Sequence, residues 1–274
     1  MSRAAEGWTR RALLADDGRR RLFLKFDVAV DVLRRLAAIG VAPPVLHGGQ
    51  YRGRSFAIQP FIEGGHPQKD WFDPHLSAVA RLVATYHADG PLRALLGPSS
   101  AASHEQHVSD LLARYDRRAH GGSARCGLPF GNAVEELRKQ ADGLRPSSLV
   151  PTHGDPNNKN FVVTDDSSAY LLDWDDLEMS DPFRDVGQLL WWYVPHGRWV
   201  ELLGQLGLAT DADAERSLYW WVAAESLDVS MHLADLRIRV AALAFFEDFR
   251  AAIAQQPNPR RTLIGPSRTS DPRL

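Results

Sequence analysis

Nine consecutive residues near the middle of this 274-residue chain, Thr152-His153-Gly154-Asp155-Pro156-Asn157-Asn158-Lys159-Asn160, form a polar block between apolar Leu149-Val150 and Phe161-Val162-Val163. Apolar runs this short on both sides of a polar loop read as two buried strands that the loop joins. Backbone and side-chain polar groups at such a place must be paired or put to use. After a polar turn at 164–168, Ala169-Tyr170-Leu171-Leu172 reads as another buried strand, and it runs into Asp173-Trp174-Asp175-Asp176. A carboxylate at such a strand end can reach a metal ion.

Asp155 and Asn160 are separated by four residues. That is the spacing of a phosphoryl-transfer loop, in which the aspartate accepts the proton of a hydroxyl nucleophile and the asparagine holds a magnesium ion. One loop turn lets the carboxylate face the hydroxyl while the amide faces a metal bridging nucleotide phosphates. His153-Gly154-Asp155, Asn160 and Leu172-Asp173-Trp174, with thirteen residues from Asn160 to Asp173, resemble the aminoglycoside phosphotransferase and choline kinase superfamily. Downstream, Ser180-Asp181-Pro182-Phe183-Arg184-Asp185-Val186-Gly187 is similar to that family's acidic segment behind the catalytic loop.

The resemblance implies an α+β, two-lobed, protein-kinase-like fold, with a small antiparallel-sheet N-lobe and a larger, mainly helical C-lobe. It implies an enzyme that uses ATP and Mg²⁺ to phosphorylate a hydroxyl of a small molecule. By resemblance, Asp155 is the catalytic base or substrate-orienting carboxylate, Asn160 and Asp173 are the magnesium ligands, and His153 and Asp185 support the loop structurally. A second reading is a nucleotide-binding pseudokinase or interaction module without transfer activity, although the intact Asp155, Asn160 and Asp173 argue against it.

The first sixty residues read as the expected small sheet. Ala12–Ala15 and Arg21–Phe26 flank Asp16-Asp17-Gly18, a strong hairpin signal. Val28, Val32, Leu33, Leu36 and Ile39 fall at helical spacing before Gly40. Val45-Leu46 and Ser55–Ile62 read as a second strand pair around a glycine-containing loop from His47 to Arg54. Lys25, on the second hairpin strand, has the position of a lysine that reaches nucleotide phosphates. The resemblance places a glutamate partner for it on the first helix, where this chain has Ala29, leaving Asp27 or Asp31 as substitutes. Ala57–Gly64 resembles the interlobe strand and hinge, with the Pro60 C=O and Ile62 N–H as adenine contacts. Relatives have a full first strand and a glycine loop before the segment Trp8–Arg11; here MSRAAEG precedes it. Gly7 and Thr9 are then a remnant of the loop, or the strand is encoded upstream of Met1.

Glu63–Pro67 interrupts the pattern without a long linker, so we place an N-lobe at 1–63, a helical C-lobe at 64–256 and a flexible proline-containing tail at 257–274. Helices are expected over Leu76–His87, Glu105–Arg118, Ala133–Leu144 and Arg198–Leu206, and over a breakable stretch from Asp211 to Phe249. Gly97–Ser103 and His120–Gly131 are expected as loops. Substrate-facing groups are expected at Asp175 and Asp176 and along Tyr219–Asp235, which carries Glu225 and Asp228. Carboxylates beside aromatic rings suit a cationic substrate such as an aminoglycoside, an amino sugar or a choline-like amine. Paired tryptophans are nonetheless more often core than cage.

With 44% hydrophobic residues the chain can bury a substantial core. Its 32 basic and 34 acidic residues are dispersed, which argues against a nucleic-acid partner. The single Cys126 excludes an internal disulfide framework, and His104 and His107 lack the second pair of a zinc site. The N-terminus has no signal-peptide core, and apolar runs such as Leu189–Val194 are too short to span a bilayer, so a cytoplasmic protein without a membrane partner is expected.

Overall fold

Two tight turns build the N-terminal sheet. The structure, a computed structural model, describes residues 2–3, 12–16, 18–121, 127–146, 148–166 and 168–259. Strands β2 (Ala12–Asp16) and β3 (Arg21–Phe26) pair antiparallel around Gly18, whose φ of 81° is unstrained only for glycine. Strands β4 (His47–Tyr51) and β5 (Arg54–Pro60) are joined by Arg52 and Gly53, both at positive φ, as a two-residue hairpin turn requires. With β1 (Ser2–Arg3) pairing β2, the sheet order is β1-β2-β3-β5-β4. Gly7, Thr9 and Cys126 lie outside the described residues.

Helix α1 (Val30–Ala38) buries Leu33 and Leu36 and ends at Gly40, where the Gly40 and Val41 amides bond back to the carbonyls of Ala37 and Leu36. The glycine-containing stretch expected as a loop is instead strand β4. A Cβ on Gly48 would collide with Val30 Cγ1, so the bare backbone lets α1 close onto the sheet. The glycine marks close approach rather than a turn.

Past β5 the chain crosses to a helical region. A Cβ on Gly64 would lie 2.5 Å from the Val163 carbonyl oxygen, and Gly65 exchanges two backbone hydrogen bonds with Val163, at 3.0 and 2.9 Å. These glycines attach the crossing to strand β7 (Phe161–Val163). Helices α2 (Leu76–His87), α3 (Gly90–Leu96), α4 (Ala101–Ala119) and α5 (Phe130–Ala141) follow. Two short antiparallel pairs come next: β6 (Val150–Thr152) with β9 (Glu178–Ser180), and β7 with β8 (Ala169–Leu171). Helices α6 (Phe183–Trp192), α7 (Trp199–Gln205), α8 (Ala212–Asp235) and α9 (Arg239–Ile253) complete the C-terminal part.

The stretch expected as a loop at Gly97–Ser103 is shorter, because Ser100 and Ser103 form reciprocal cap hydrogen bonds that start α4 at Ala101. Helix α3 was hidden by its short length; Asp89 caps it by accepting from the Leu92 amide. The long last segment breaks at Arg237, whose φ is 62°. Helix α8 is the core spine, with Trp220, Val222, Ala223, Ala224, Leu227 and Met231 buried. The anticipated tail is anchored at its start: Asn258 is buried and its Nδ2 donates to the Trp191 carbonyl at 2.8 Å, while residues 260–274 lie outside the described residues. The architecture is the expected two-lobed α+β one. Among the described residues no helix is long and apolar enough to cross a membrane.

Candidate active site

The polar loop between β6 and β7 is fixed from behind by one buried carboxylate. Asp185, on the first turn of α6, accepts from the backbone amides of His153 and Gly154, both at 2.8 Å, and from the Tyr86 hydroxyl at 2.8 Å. His87 Nε2 lies 3.2 Å from the same carboxylate. Burial alone would raise its pKa, but the His87 hydrogen bond, the nearby histidines and the backbone donors outweigh that and hold it below the ordinary carboxyl value. His153 is buried and its pKa is lowered, chiefly by burial. Its Nε2 donates to the Leu172 carbonyl at 2.7 Å and its Nδ1 accepts from the Asp155 amide at 3.2 Å, a neutral ring that ties the loop to the strand before Asp173.

Gly154 has a φ of 90°, and a Cβ there would lie 2.7 Å from Arg184 Nη2 and 2.9 Å from Asp176 Cβ. Glycine therefore permits both the turn and the close approach of Arg184. That guanidinium pairs with Glu178, whose other oxygen lies 2.9 Å from His107 Nδ1. Gln188, one turn on from Arg184, donates to the Gly154 carbonyl at 2.7 Å. Neither Arg184 nor Gln188 was singled out from sequence. Their signal was a polar pair four residues apart in the FRDVGQLLWW helix, which apart from them and Asp185 carries no charged or amide side chain.

This scaffold presents Asp155. Asn157 Nδ2 donates to its Oδ1 at 2.7 Å, and Asn160 Nδ2 to its Oδ2 at 3.1 Å and to its carbonyl at 2.8 Å. Burial raises its pKa to about 6, opposed by the Asn157 and Asn160 hydrogen bonds and reinforced by the charge of Asp176. Glu225, half-buried on α8, has its pKa raised by burial and then by Asp155 and Asp228. Asp228 is likewise raised by burial, against the pull of Arg118, whose Nη1 lies 2.6 Å from it. Glu225 thus lies within electrostatic reach of Asp155, Asp176 and Asp228. Trp191, Trp192, Tyr193, Trp220 and Trp221 are instead buried, and Trp220 Nε1 donates to the Leu137 carbonyl at 3.0 Å.

Asn160 and Asp173 are adjacent through the backbone, the Leu172 amide donating to the Asn160 carbonyl at 2.7 Å. Asp173 has a left-handed conformation, φ 60° and ψ 61°, and heads a 3₁₀ turn over Trp174–Asp176. Lys25 arrives from β3: its Nζ lies 2.7 Å from Asp173 Oδ1 and 2.8 Å from Asp175 Oδ1. Burial opposes its charge, but Asp173 and Asp175 outweigh that and raise its pKa above the ordinary lysine value. Asp27 pairs with Arg54 and Asp31 with Arg34, so neither substitute bonds Lys25. Asp173 and Asn160 offer a carboxylate and an amide oxygen, the hard oxygen donors that a Mg²⁺ ion would take.

At the crossing between lobes the Phe61 amide donates to the Arg21 carbonyl at 2.9 Å. Pro60 ends β5 in register with Leu22 of β3, and Ile62 follows two residues past the last ladder pair. Phe61, Ile62 and Glu63 line an open cavity of about 410 Å³ with Thr164, Asp165, Asp166 and Tyr170.

The model of the phosphotransferase enzyme family (APH) matches residues 1–221. Among solved structures, choline kinase LicA from Streptococcus pneumoniae aligns over 92% of each chain with a TM-score of 0.62 at 15% identity. The spectinomycin phosphotransferase APH(9)-Ia, solved with ADP and spectinomycin, aligns over 91% of this chain and 89% of its own, with a TM-score of 0.57 at 15% identity. The GDP and kanamycin complex of APH(2")-IIia aligns over 91% of both chains, with a TM-score of 0.63 at 14% identity. At these identities the likeness is one of fold. With a two-lobed fold, the loop motif and a family match over most of its length, the chain belongs to the phosphotransferase enzyme family.

Proposed function

We propose that the protein transfers the γ-phosphoryl group of ATP, with Mg²⁺, to a hydroxyl of a small cationic molecule: an aminoglycoside, an amino sugar or a choline-like amine. The observation that carries this reading is the meeting of three groups. Lys25 from the sheet reaches Asp173, while Asp173 adjoins the loop that presents Asp155 and Asn160. The ADP and GDP complexes of similar folds support a purine nucleotide.

In this reading Pro60 and Ile62 bind the adenine and Lys25 binds the phosphates. Asn160 and Asp173 hold Mg²⁺, which when bound neutralises charge on the phosphate oxygens. Asp155 orients the acceptor hydroxyl and takes its proton as the new P–O bond forms and ADP leaves. Asp176, Glu225 and Asp228 are the acidic groups that a protonated or quaternary amine would meet, and its charge would favour ionising the two carboxyls whose pKa burial has raised. Asp185 and His153 hold the loop in register throughout.

The test is an ATP-consumption assay over amines, amino sugars and aminoglycosides, with GTP as a second donor, on wild type and Asp155→Ala. Consumption by wild type with at least one acceptor, lost in the variant, is the expected result. ATP binding without transfer to any acceptor by either protein would favour a nucleotide-binding module instead.

A further inference from the structure

Lys25 is held by two carboxylates two residues apart, and only one of them belongs to the proposed metal site. Its side chain is 10% exposed, and its Nζ is shared between Asp173 Oδ1 at 2.7 Å and Asp175 Oδ1 at 2.8 Å. A buried ammonium needs a close carboxylate to offset its lost hydration. The carboxylates nearer in sequence are engaged elsewhere: Arg54 grips Asp27 with contacts of 3.0 and 2.6 Å, and Asp31 pairs with Arg34 at 3.2 Å. Ala29, at the head of α1, has no charge to offer.

The geometry points to Asp175 as the positioning residue for Lys25, holding the ammonium toward the nucleotide phosphates when Asp173 is given over to the metal. This rests on the phosphotransfer reading of the site. It also moves Asp175 from the acceptor side, where sequence had placed it, to the nucleotide side. The local backbone explains why a residue so close to Asp173 reaches the same lysine. Asp173 in the left-handed region reverses the chain, and the 3₁₀ turn that follows returns Asp175 to the lysine while Asp176 packs against Gly154 beside Asp155. Adjacent acidic residues thus face opposite halves of the site.

The experiment measures the dissociation constant of a non-hydrolysable ATP analogue by calorimetry, in Mg²⁺ and in excess EDTA. It uses wild type, Asp175→Asn, Asp175→Glu, Lys25→Met and the Asp175→Asn/Lys25→Met double variant. Loss of a charged hydrogen bond predicts affinity about 10- to 100-fold weaker for Asp175→Asn in Mg²⁺, with much of it recovered in Asp175→Glu, and a smaller loss in EDTA, where Asp173 still holds Lys25. In the double variant Asp175→Asn adds nothing further, because it acts through Lys25. KM for any acceptor that wild type phosphorylates stays within about twofold. Unchanged nucleotide affinity in Asp175→Asn, or a full additional loss on the Lys25→Met background, would overturn the inference while leaving the proposed function standing. An increased acceptor KM with unchanged nucleotide affinity would return Asp175 to the acceptor side. A wild type that binds nucleotide but transfers to no acceptor would remove the transfer reading, and the binding constants alone would then decide the role of Asp175. Melting curves on each variant verify folding, and the charge-preserving Asp175→Glu serves if the asparagine variant does not fold.

Discussion

Asp155 is asked to be both buried and charged, and the two demands oppose each other. Its pKa in the folded protein, about 6, lies above the ordinary value of 3.8 because burial penalises the carboxylate. Below about pH 4 the group is protonated in folded and unfolded chains alike. Between about pH 4 and 6 the unfolded chain releases the proton first, so this residue's contribution to stability falls as pH rises and is fully lost above about pH 6. Asp155→Asn should therefore stabilise the nucleotide-free protein at pH 7.5 by on the order of 1–3 kcal/mol, and by little near pH 4. Urea titrations at the two pH values check this; a variant less stable than wild type at pH 7.5 would contradict it. The same substitution should cut transfer about 100- to 10,000-fold, as loss of a general base does. Wild-type kcat/KM should fall as pH drops through about 6, because a protonated Asp155 cannot accept the hydroxyl proton. If Asp155 is the base of the proposed transfer, the stability given up at this residue is the physical cost of tuning it near neutral pH.

Two backbone features control how the elements meet. The turn between α8 and α9 has the Arg237 amide bonded to the Ala234 carbonyl at 2.9 Å and the Ile238 amide to the Leu233 carbonyl at 2.8 Å. That pattern wants a left-handed residue at position 237, and arginine sits there at a φ of 62°. Arg237→Gly should raise stability by up to about 1 kcal/mol in chemical denaturation with activity unchanged. Gly64 works in the opposite sense. A Cβ there meets backbone, the Val163 carbonyl oxygen, which cannot rotate away as a long side chain can. Gly64→Ala should cost roughly 2–4 kcal/mol and weaken nucleotide binding, because the crossing that carries Ile62 would be pushed off β7. Denaturation and nucleotide calorimetry on that variant test both parts.

The sheet and its helix meet the helical region through α1 against α3, the Arg35–Asp89 pair and the Lys25 contacts to Asp173 and Asp175. A nucleotide that touches the Pro60–Ile62 crossing, Lys25 and the Asn160–Asp173 pair spans both parts at once. A non-hydrolysable ATP analogue with Mg²⁺ at about 100 times its dissociation constant should add about 2.7 kcal/mol of stability. Chelating the metal should remove part of that gain, read as a smaller rise in melting temperature. No rise under either condition would mean that the nucleotide does not bridge the two parts.

The loop of Asp155 and Asn160, the strand before Asp173 and the helix over Leu76–His87 were legible in the chain because each depends on local pattern: four residues of loop, a short apolar run, a period of 3.6. The turn between β2 and β3 was legible for the same reason, through Gly18, whereas the Arg52-Gly53 turn lay inside a stretch expected as a loop. The partner of Lys25 was not, because Asp175 lies 150 residues further along and reaches it only when the two lobes pack. Sequence offered Asp27 and Asp31, which are nearer along the chain but are taken by Arg54 and Arg34. The strand role of Gly48 depended likewise on α1 lying against it, and the rise in the Glu225 pKa on burial against Asp155. Local periodicity settles which groups a segment can present, whereas pairing between distant charges is decided by packing, since their interaction falls with separation and with exposure to water.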